Sequence, residues 1–326
     1  MGLFGYVSSA LSGRNRYVVW ALTNACNCRC GMCGQWKQKP VIADNYKLLI
    51  DFMKKNKVLM LSLTGGEPTL HPELTEIIKY AKSSGFFVHL ITNGTTMTDS
   101  LAERLKDSKI NLVSVSIDHY IPEIQDKLRK HKDCHKKAVN AIKLLKEHNV
   151  PVIASTVITS LNINEIEKVV SFVNNELNVA FSVCTPSTTP DSSFFAGHSD
   201  VIELDVKQLS ACTKKIIELG RKGAHICNSY EFLNEYVDSL SGNKKFYCQG
   251  GNLIYYLNPK GDFHICTNKP KLFDITSGWK TADIKCTECE VQCFKEPSVL
   301  YQISRTKAIL HLSRAYRALG IKRLKK

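Results

Sequence analysis

Short apolar runs alternate with amphipathic stretches from residue 16 to about residue 187. Runs rich in Val, Ile, Leu and Thr predict strands at 17–23, 58–64, 86–92, 111–118, 150–159 and 179–184. Helix-period segments near 44–55, 71–83, 98–108, 135–148 and 164–176 separate them, and another follows at 205–222. Strands alternating with helices of this length form βα units and a parallel sheet. Six units are too few for an eight-stranded barrel, so the choice lies between an open three-quarter barrel and a doubly wound sheet.

The fourth strand separates these two. Period-two alternation puts Val113, Val115 and Ile117 on one face and Ser114, Ser116 and Asp118 on the other. Strands of a doubly wound sheet are apolar on both faces. Ser62 and Thr64, Thr156, and Ser182 with Cys184 repeat the small polar pattern, which predicts a ligand-filled lumen with its chemistry at the carboxyl ends of the strands. Locally, each Ser or Thr also has the plainer option of bonding to neighbouring backbone.

Beyond the sixth strand, 185–200 is rich in Thr, Ser, Pro and Asp and predicts a connection across the barrel mouth. From 223 to 298 the chain breaks into short pieces punctuated by Gly, Asn and Cys, with an Asn-Pro-Lys-Gly hairpin turn at 258–261. So little apolar periodicity predicts a region that needs bound metal to fold. The ends differ again. Segment 1–15 places Leu3, Phe4, Val7 and Leu11 on one helical face. Segment 299–326 places Ile309, Leu312, Tyr316 and Leu319 on another, stopped by Gly320.

With 44% hydrophobic and 23% charged residues over 326, the composition is that of a globular protein. The net charge of +14 is uneven, because the last 26 residues hold eight Lys and Arg and no carboxylate. That end suits contact with an anionic membrane surface; otherwise both apolar stripes pack on the barrel and the lysines are solvated. Without interleaved aromatics to stack bases, nucleic acid is not the expected partner. The first 13 residues have no basic residue ahead of their apolar stretch, and no run of about 18 apolar residues occurs, so neither a signal peptide nor a membrane span is expected. Gly2 invites myristoylation, but Tyr6 stands where Ser or Thr is required. The thirteen cysteines, odd in number and bunched at two places, fit metal binding in a reducing compartment better than disulfides. A cytoplasmic protein, peripheral to the membrane at most, is the expectation.

Cys26, Cys30 and Cys33 are spaced C-x3-C-x2-C on the loop after the first strand. Three thiolates so spaced can hold an iron–sulfur cube and leave its fourth iron without a protein ligand. Zinc, with Cys28 completing four ligands, is the other reading. After the second strand comes Thr64-Gly65-Gly66-Glu67-Pro68. The two motifs, in this order on successive βα units, resemble the radical SAM (S-adenosylmethionine) superfamily. Ser116-Ile117-Asp118, Asp126-Lys127-Leu128-Arg129 and 138–148 extend the similarity.

The resemblance implies an α/β fold, a partial (β/α)6 TIM-like barrel over 16–222. It implies a catalytic [4Fe-4S] cluster on Cys26, Cys30 and Cys33, with S-adenosylmethionine chelating the open iron. Gly65, Gly66 and Pro68 would let backbone approach the methionyl group, Glu67 would meet its ammonium, and Met32 would touch adenine. Ser116 and Asp118 would lie near the ribose, Asn93 would assist there or simply form a turn, and Thr156 would also line the cofactor. One electron then yields a 5′-deoxyadenosyl radical that abstracts hydrogen from a substrate C–H, an oxidoreductase-type reaction. Two features depart from the pattern: Met32 stands where the family commonly has an aromatic, and Cys28 is extra.

Cys248-x12-Gly261-x4-Cys266, followed by Cys286-x2-Cys289-x3-Cys293, is similar to the SPASM and twitch domains that carry auxiliary clusters. The truncated second half implies one auxiliary [4Fe-4S] cluster on Cys248, Cys266, Cys286 and Cys289, with Cys293 competing for either of the last two places; a structural zinc is the alternative. Cys134, Cys212 and Cys227 read as ordinary buried residues. Cys184 ends the sixth strand on the lumen side, where it either packs or returns a hydrogen atom to a product radical. His89 reads as a satisfied core residue. The implied substrate is a peptide or protein that is oxidised or cross-linked. The alternatives are a membrane lipid or isoprenoid, and an iron–sulfur electron carrier with no substrate. The implied partner is a low-potential electron donor of the flavodoxin or ferredoxin type.

Overall fold

The computed structural model describes residues 15–186, 199–304 and 306–311. Strands β1 (Arg16–Thr23), β2 (Val58–Gly65), β3 (Phe87–Thr92), β4 (Leu112–Ser116), β5 (Val152–Val157) and β6 (Ala180–Cys184) lie in sequential order, every neighbouring pair parallel. A doubly wound sheet would reverse its order at a switch point. Here every crossover steps the same way, which sends the helices to one face and curls the sheet around the other. The covered face packs Trp20, Leu63, Leu90 and Val115 against Ile50 of α1 (Tyr46–Lys55), Ile77 of α2 (Leu74–Ser83), Leu101 of α3 (Asp99–Asp107) and Ile142 of α5 (Cys134–Glu147).

The inner face is polar, and its groups bond to one another. Tyr17 donates its hydroxyl to Ser62 Oγ at 2.8 Å, Ser62 Oγ meets His89 Nδ1 at 3.1 Å, and His89 Nε2 meets Ser114 Oγ at 2.7 Å. Desolvation lowers the His89 pKa to about 4, so the ring is neutral near pH 7. On β5 the face is reversed from expectation. Thr156 is fully buried on the helix-covered side and donates to the Ile117 carbonyl, while Ser155 faces the lumen and meets Cys184 Sγ at 3.3 Å.

Between β4 and α5 lies a helix that periodicity missed, α4 (Pro122–Arg129). Its eight residues are too short to show a stripe, though Pro122 at its first turn is a proper start signal. After α5, α6 (Ile166–Ser171) runs on into a π turn at Phe172–Glu176, and α7 (Val206–Arg221) follows β6.

The C-terminal region does not separate from this sheet. After α8 (Tyr230–Leu240), β7 (Ile254–Leu257) pairs parallel with β1; β8 (Phe263–His264) and β9 (Lys271–Phe273) continue antiparallel, making one nine-stranded sheet among the described residues. The hairpin expected at 258–261 forms, with Asn258 Oδ1 accepting from the backbone of Lys260 and Asp262. The region also has a core, contrary to the expectation that metal would have to supply its folding energy. Phe263 stacks on Phe273 with ring centroids 4.7 Å apart, and Tyr255, Trp279 and Phe52 of α1 surround them. These aromatics are irregularly spaced along the chain, so they leave no periodic signal yet bury large areas.

Helix α9 (Gln292–Gln302) crosses the open side of the barrel. Phe294 and Val291 pack on Tyr17, Val19, Ile254 and Tyr256; Gln292 meets Cys184 of β6; and Glu296 accepts from Asn228 Nδ2 and the Ser229 amide. A boundary at 298/299 would cut this helix. The predicted stripe in 1–15, the connection at 187–198, and Leu312, Tyr316 and Leu319 lie outside the described residues. Among the described residues no helix is long and apolar enough to cross a membrane.

Candidate active site

The loop leaving β1 is held on two sides. From β2, the Gly66 amide donates to the Thr23 carbonyl at 2.6 Å and the Glu67 amide to the Ala25 carbonyl at 2.8 Å. From α4, the Leu128 and Arg129 carbonyls accept the amides of Gly31 (3.2 Å) and Arg29 (3.1 Å). A Cβ on Gly65 would stand 2.0 Å from the Thr23 oxygen, and one on Gly66 2.1 Å from the Ala25 oxygen, so only glycine permits this approach.

Several side chains expected at a ligand are used in the scaffold instead. The buried Glu67 carboxylate accepts from the Thr69 amide, the Thr69 and Thr92 hydroxyls and the Asn93 amide. Four bonds exhaust its acceptor sites, so it ties β2 to β3 and does not face an ammonium. Burial nevertheless raises its pKa. Asn93 Nδ2 donates to Asn27 Oδ1 at 2.9 Å and to Cys28 Sγ at 3.3 Å, which places it on the cysteine loop and not beside a ribose. Asp118 is fully buried. Its Oδ2 accepts from Arg129 Nε at 2.6 Å and its Oδ1 from the Val157 amide at 3.0 Å, so the carboxylate is engaged inside the scaffold. Ser116 is half-buried on the inner face and donates to the Thr92 carbonyl, and the buried Pro68 opens the turn Pro68–Leu70.

Cys26, Cys28, Cys30 and Cys33 gather with Met32, Leu128, Ile202 and, unexpectedly, Cys134 of α5. Cys28 sits inside, 1% exposed. Hydrogen bonding with the Cys134, Cys26 and Cys30 sulfurs, with burial, pushes its pKa up and lowers that of Cys134. The same bonds lower the Cys26 pKa and bring Cys30 down to about 7, with the Arg129 guanidinium assisting. Burial pushes Cys33 up to about 12. The loop therefore offers two readily ionised thiols and a third that a metal must deprotonate. Among the described residues no three His, Cys, Asp or Glu form a cage sized for one metal ion. Zinc–thiolate bonds of about 2.3 Å would draw the sulfurs to within about 4 Å of one another, whereas a cube holds them apart at its corners.

At the other end of the sheet, Cys248, Cys266, Cys286 and Cys289 line one small recess with Gly250, Ile265 and Phe294. The Cys248 amide donates to the Cys286 carbonyl at 2.7 Å, and the Gly250 and Asn268 amides point at the sulfurs of Cys248 and Cys266. A buried lysine steadies the walls: Lys295 lies 3.4 Å from Glu235 and 3.6 Å from Glu290 and donates to the Phe246 carbonyl. Cys293 is not among the lining residues; from α9 it packs in the cluster of Tyr17 and Val19, which Cys248, Cys266 and Cys289 also adjoin. Cys184 is half-buried, hydrogen-bonds Gln292 Oε1 at 3.3 Å, and has its pKa raised by burial to about 11. Sequence reasoning missed Arg129, Cys134, Ser155 and Gln292. All four act through partners at least 11 residues away in the chain, and no local pattern marks them.

Comparison with known proteins supplies further findings. Residues 20–173 match the family model described as the radical SAM superfamily. The "AdoMet-dependent heme synthase" of Methanosarcina barkeri is 30% identical over 179 residues, 53% of this chain and 51% of that protein. The "antilisterial bacteriocin subtilosin biosynthesis protein AlbA" of Bacillus subtilis is 30% identical over 182 residues, 52% of this chain and 40% of that protein. The chain thus spans about half the length of these relatives, or less. Streptococcus suis SuiB, in its crystal structure with the precursor peptide SuiA, superimposes with a TM-score of 0.67 at 17% identity, covering 86% of this chain and 69% of SuiB.

Proposed function

The chain belongs to the radical SAM superfamily, and from that premise we propose that it is an enzyme that cleaves S-adenosylmethionine reductively and oxidises or cross-links a peptide. The observation that carries this reading is the stapling of Gly65-Gly66 onto the backbone of the 24–33 loop, where Cys26, Cys30 and Cys33 gather. Cys26, Cys30 and Cys33 carry the spacing that fits a cube with one open iron, with Cys28 and Cys134 as the spare sulfurs beside them. When bound, the cluster and S-adenosylmethionine supply a 5′-deoxyadenosyl radical.

The chain's own residues do the rest. Gly65 and Gly66 let the strap lie directly on the backbone of the cysteine loop, and the Glu67 carboxylate holds that strap to β3. Arg129, fixed by Asp118, keeps a positive charge beside Cys30. The inner face from Tyr17 to Cys184 lines the substrate's position, and α9 closes the barrel's open side against water. Cys184 presents an S–H to the lumen, available to return a hydrogen atom to a product radical. In the recess, Cys248, Cys266, Cys286 and Cys289 ligate an auxiliary [4Fe-4S] cluster. Cys266→Ala should lower iron by about four atoms per chain, and Cys293→Ala should leave it unchanged. Iron loss from Cys293→Ala with retention in Cys289→Ala would move the fourth ligand onto α9.

The name of AlbA motivates the peptide, and the heme-synthase relative favours a second substrate, an iron tetrapyrrole. Charge on the inner face separates them. No inner-face strand residue from Tyr17 to Cys184 is Lys or Arg, and Arg129 is already paired with Asp118, so carboxylates of a tetrapyrrole find no free cation there. Reconstituted protein should be given S-adenosylmethionine and dithionite with either peptides encoded beside its gene or iron-coproporphyrin. Loss of about 2 Da from a peptide supports the reading; turnover of the tetrapyrrole alone replaces it. Absence of 5′-deoxyadenosine under every condition would leave an electron carrier.

A further inference from the structure

Two segments distant in sequence meet at the outer rim of the cysteine loop. The amides of Arg29 and Gly31 donate to the carbonyls of Arg129 and Leu128, which sets 24–40 beside 127–137. Together these segments hold nine Lys and Arg and one carboxylate, Asp133. Outside them and the last 26 residues the chain carries no net positive charge. Arg29, Lys37, Lys39, Lys127, Lys130 and Lys132 are all exposed. The neighbouring Asp126 offers them little, since its carboxylate accepts the amides of Asp133 and His135. Trp36 joins rim to loop: its indole N–H donates to the Cys30 carbonyl at 3.2 Å, and Lys37 Nζ lies 5.6 Å from its ring.

We propose that this rim is the docking surface for an acidic, low-potential one-electron donor protein, recognised by Arg29, Lys37, Lys39, Lys127, Lys130 and Lys132 around the loop that carries Cys26, Cys30 and Cys33. The inference rests on the function proposed above and names its partner. Six cations on one face attract an acidic protein over a distance of about 10 Å at ordinary salt and orient it before contact. A small mobile reductant needs no such face. The location selects the donor among acidic partners, because Asn27 and Arg29, within the cysteine loop itself, are exposed at this rim. One electron then passes from the donor's reduced cofactor to the cluster, and no atom or proton moves with it.

The test uses the full-length reconstituted holoenzyme with a purified acidic flavodoxin. It compares the wild type with Lys127→Glu/Lys130→Glu/Lys132→Glu and with a distant control, Lys207→Glu/Lys214→Glu. The rim variant should bind flavodoxin about tenfold more weakly and lose most of the wild type's salt dependence, and flavodoxin should bleach its cluster absorbance correspondingly slowly. Its 5′-deoxyadenosine formation with dithionite, which needs no docking, should stay unchanged. Equal flavodoxin binding by wild type and rim variant overturns the proposal, as does an equal loss in the distant control. So does a rim variant that loses binding only to anionic lipid vesicles, or only to an acidic peptide. If the wild type with dithionite makes no 5′-deoxyadenosine, the proposed chemistry fails while the binding comparison still reads the surface.

Discussion

Alanine at Cys26, Cys30 or Cys33 is expected to bring 5′-deoxyadenosine formation to the assay background and to remove about four irons per chain, whereas Cys28→Ala keeps the iron. The contrast follows from spacing: Cys26, Cys30 and Cys33 carry the C-x3-C-x2-C pattern, and Cys28 lies outside it. A metal binds the thiolate, so a thiol of raised pKa gives up its proton as the metal enters. Cys26 and Cys30 have lowered pKa values, whereas Cys33 is pushed up to about 12 by burial. Iron and sulfide analysis after anaerobic reconstitution, beside product quantitation, reads both arms. Iron lost equally from Cys28→Ala would make Cys28 a ligand, seal the cube and remove the site for S-adenosylmethionine.

Arg129→Met should destabilise the protein by about 3–5 kcal/mol, because it leaves Asp118 charged and fully buried without its partner. At about 2–4 °C per kcal/mol for a chain of this order, that is a fall in melting temperature of roughly 10 °C. Replacing both, Asp118→Leu with Arg129→Met, should recover part of the loss, since no buried charge remains while the Val157 amide is left without its acceptor. The Arg129 and Leu128 carbonyls also hold the cysteine loop, so the single variant should reconstitute iron poorly even at temperatures where it is folded. Chemical denaturation of the three proteins measures the cycle. A single-variant cost under about 1 kcal/mol would mean that water reaches the pair and that the ion pair does not organise the loop.

Legibility in the sequence followed the range of the forces involved. The six βα units were readable because each strand and helix is specified by residues two to four apart, and the polar lumen was readable from Ser114 and Ser116 alternating with Val113 and Val115. Thr156 shows the limit: its side chain was assigned by analogy with its neighbours, and a one-residue difference in register moved it to the covered face. Glu67, Asn93 and Asp118 show another. Their chemistry suited a ligand, but a carboxylate or amide bonds whatever partners the fold brings close, and here those belong to Thr69, Thr92, Cys28 and Arg129.

By itself the sequence determined the parallel α/β arrangement, the two sites of clustered cysteines and the glycine pair after β2, because local periodicity and ligand spacing are written in contiguous residues. Only the tertiary structure decided that Cys134 joins the loop sulfurs, that β7 extends the barrel sheet, that α9 covers its open side and that Asp118 serves Arg129. Those outcomes depend on desolvation and on contacts between segments ten to more than two hundred residues apart, which have no local signature and exist only once the chain has closed.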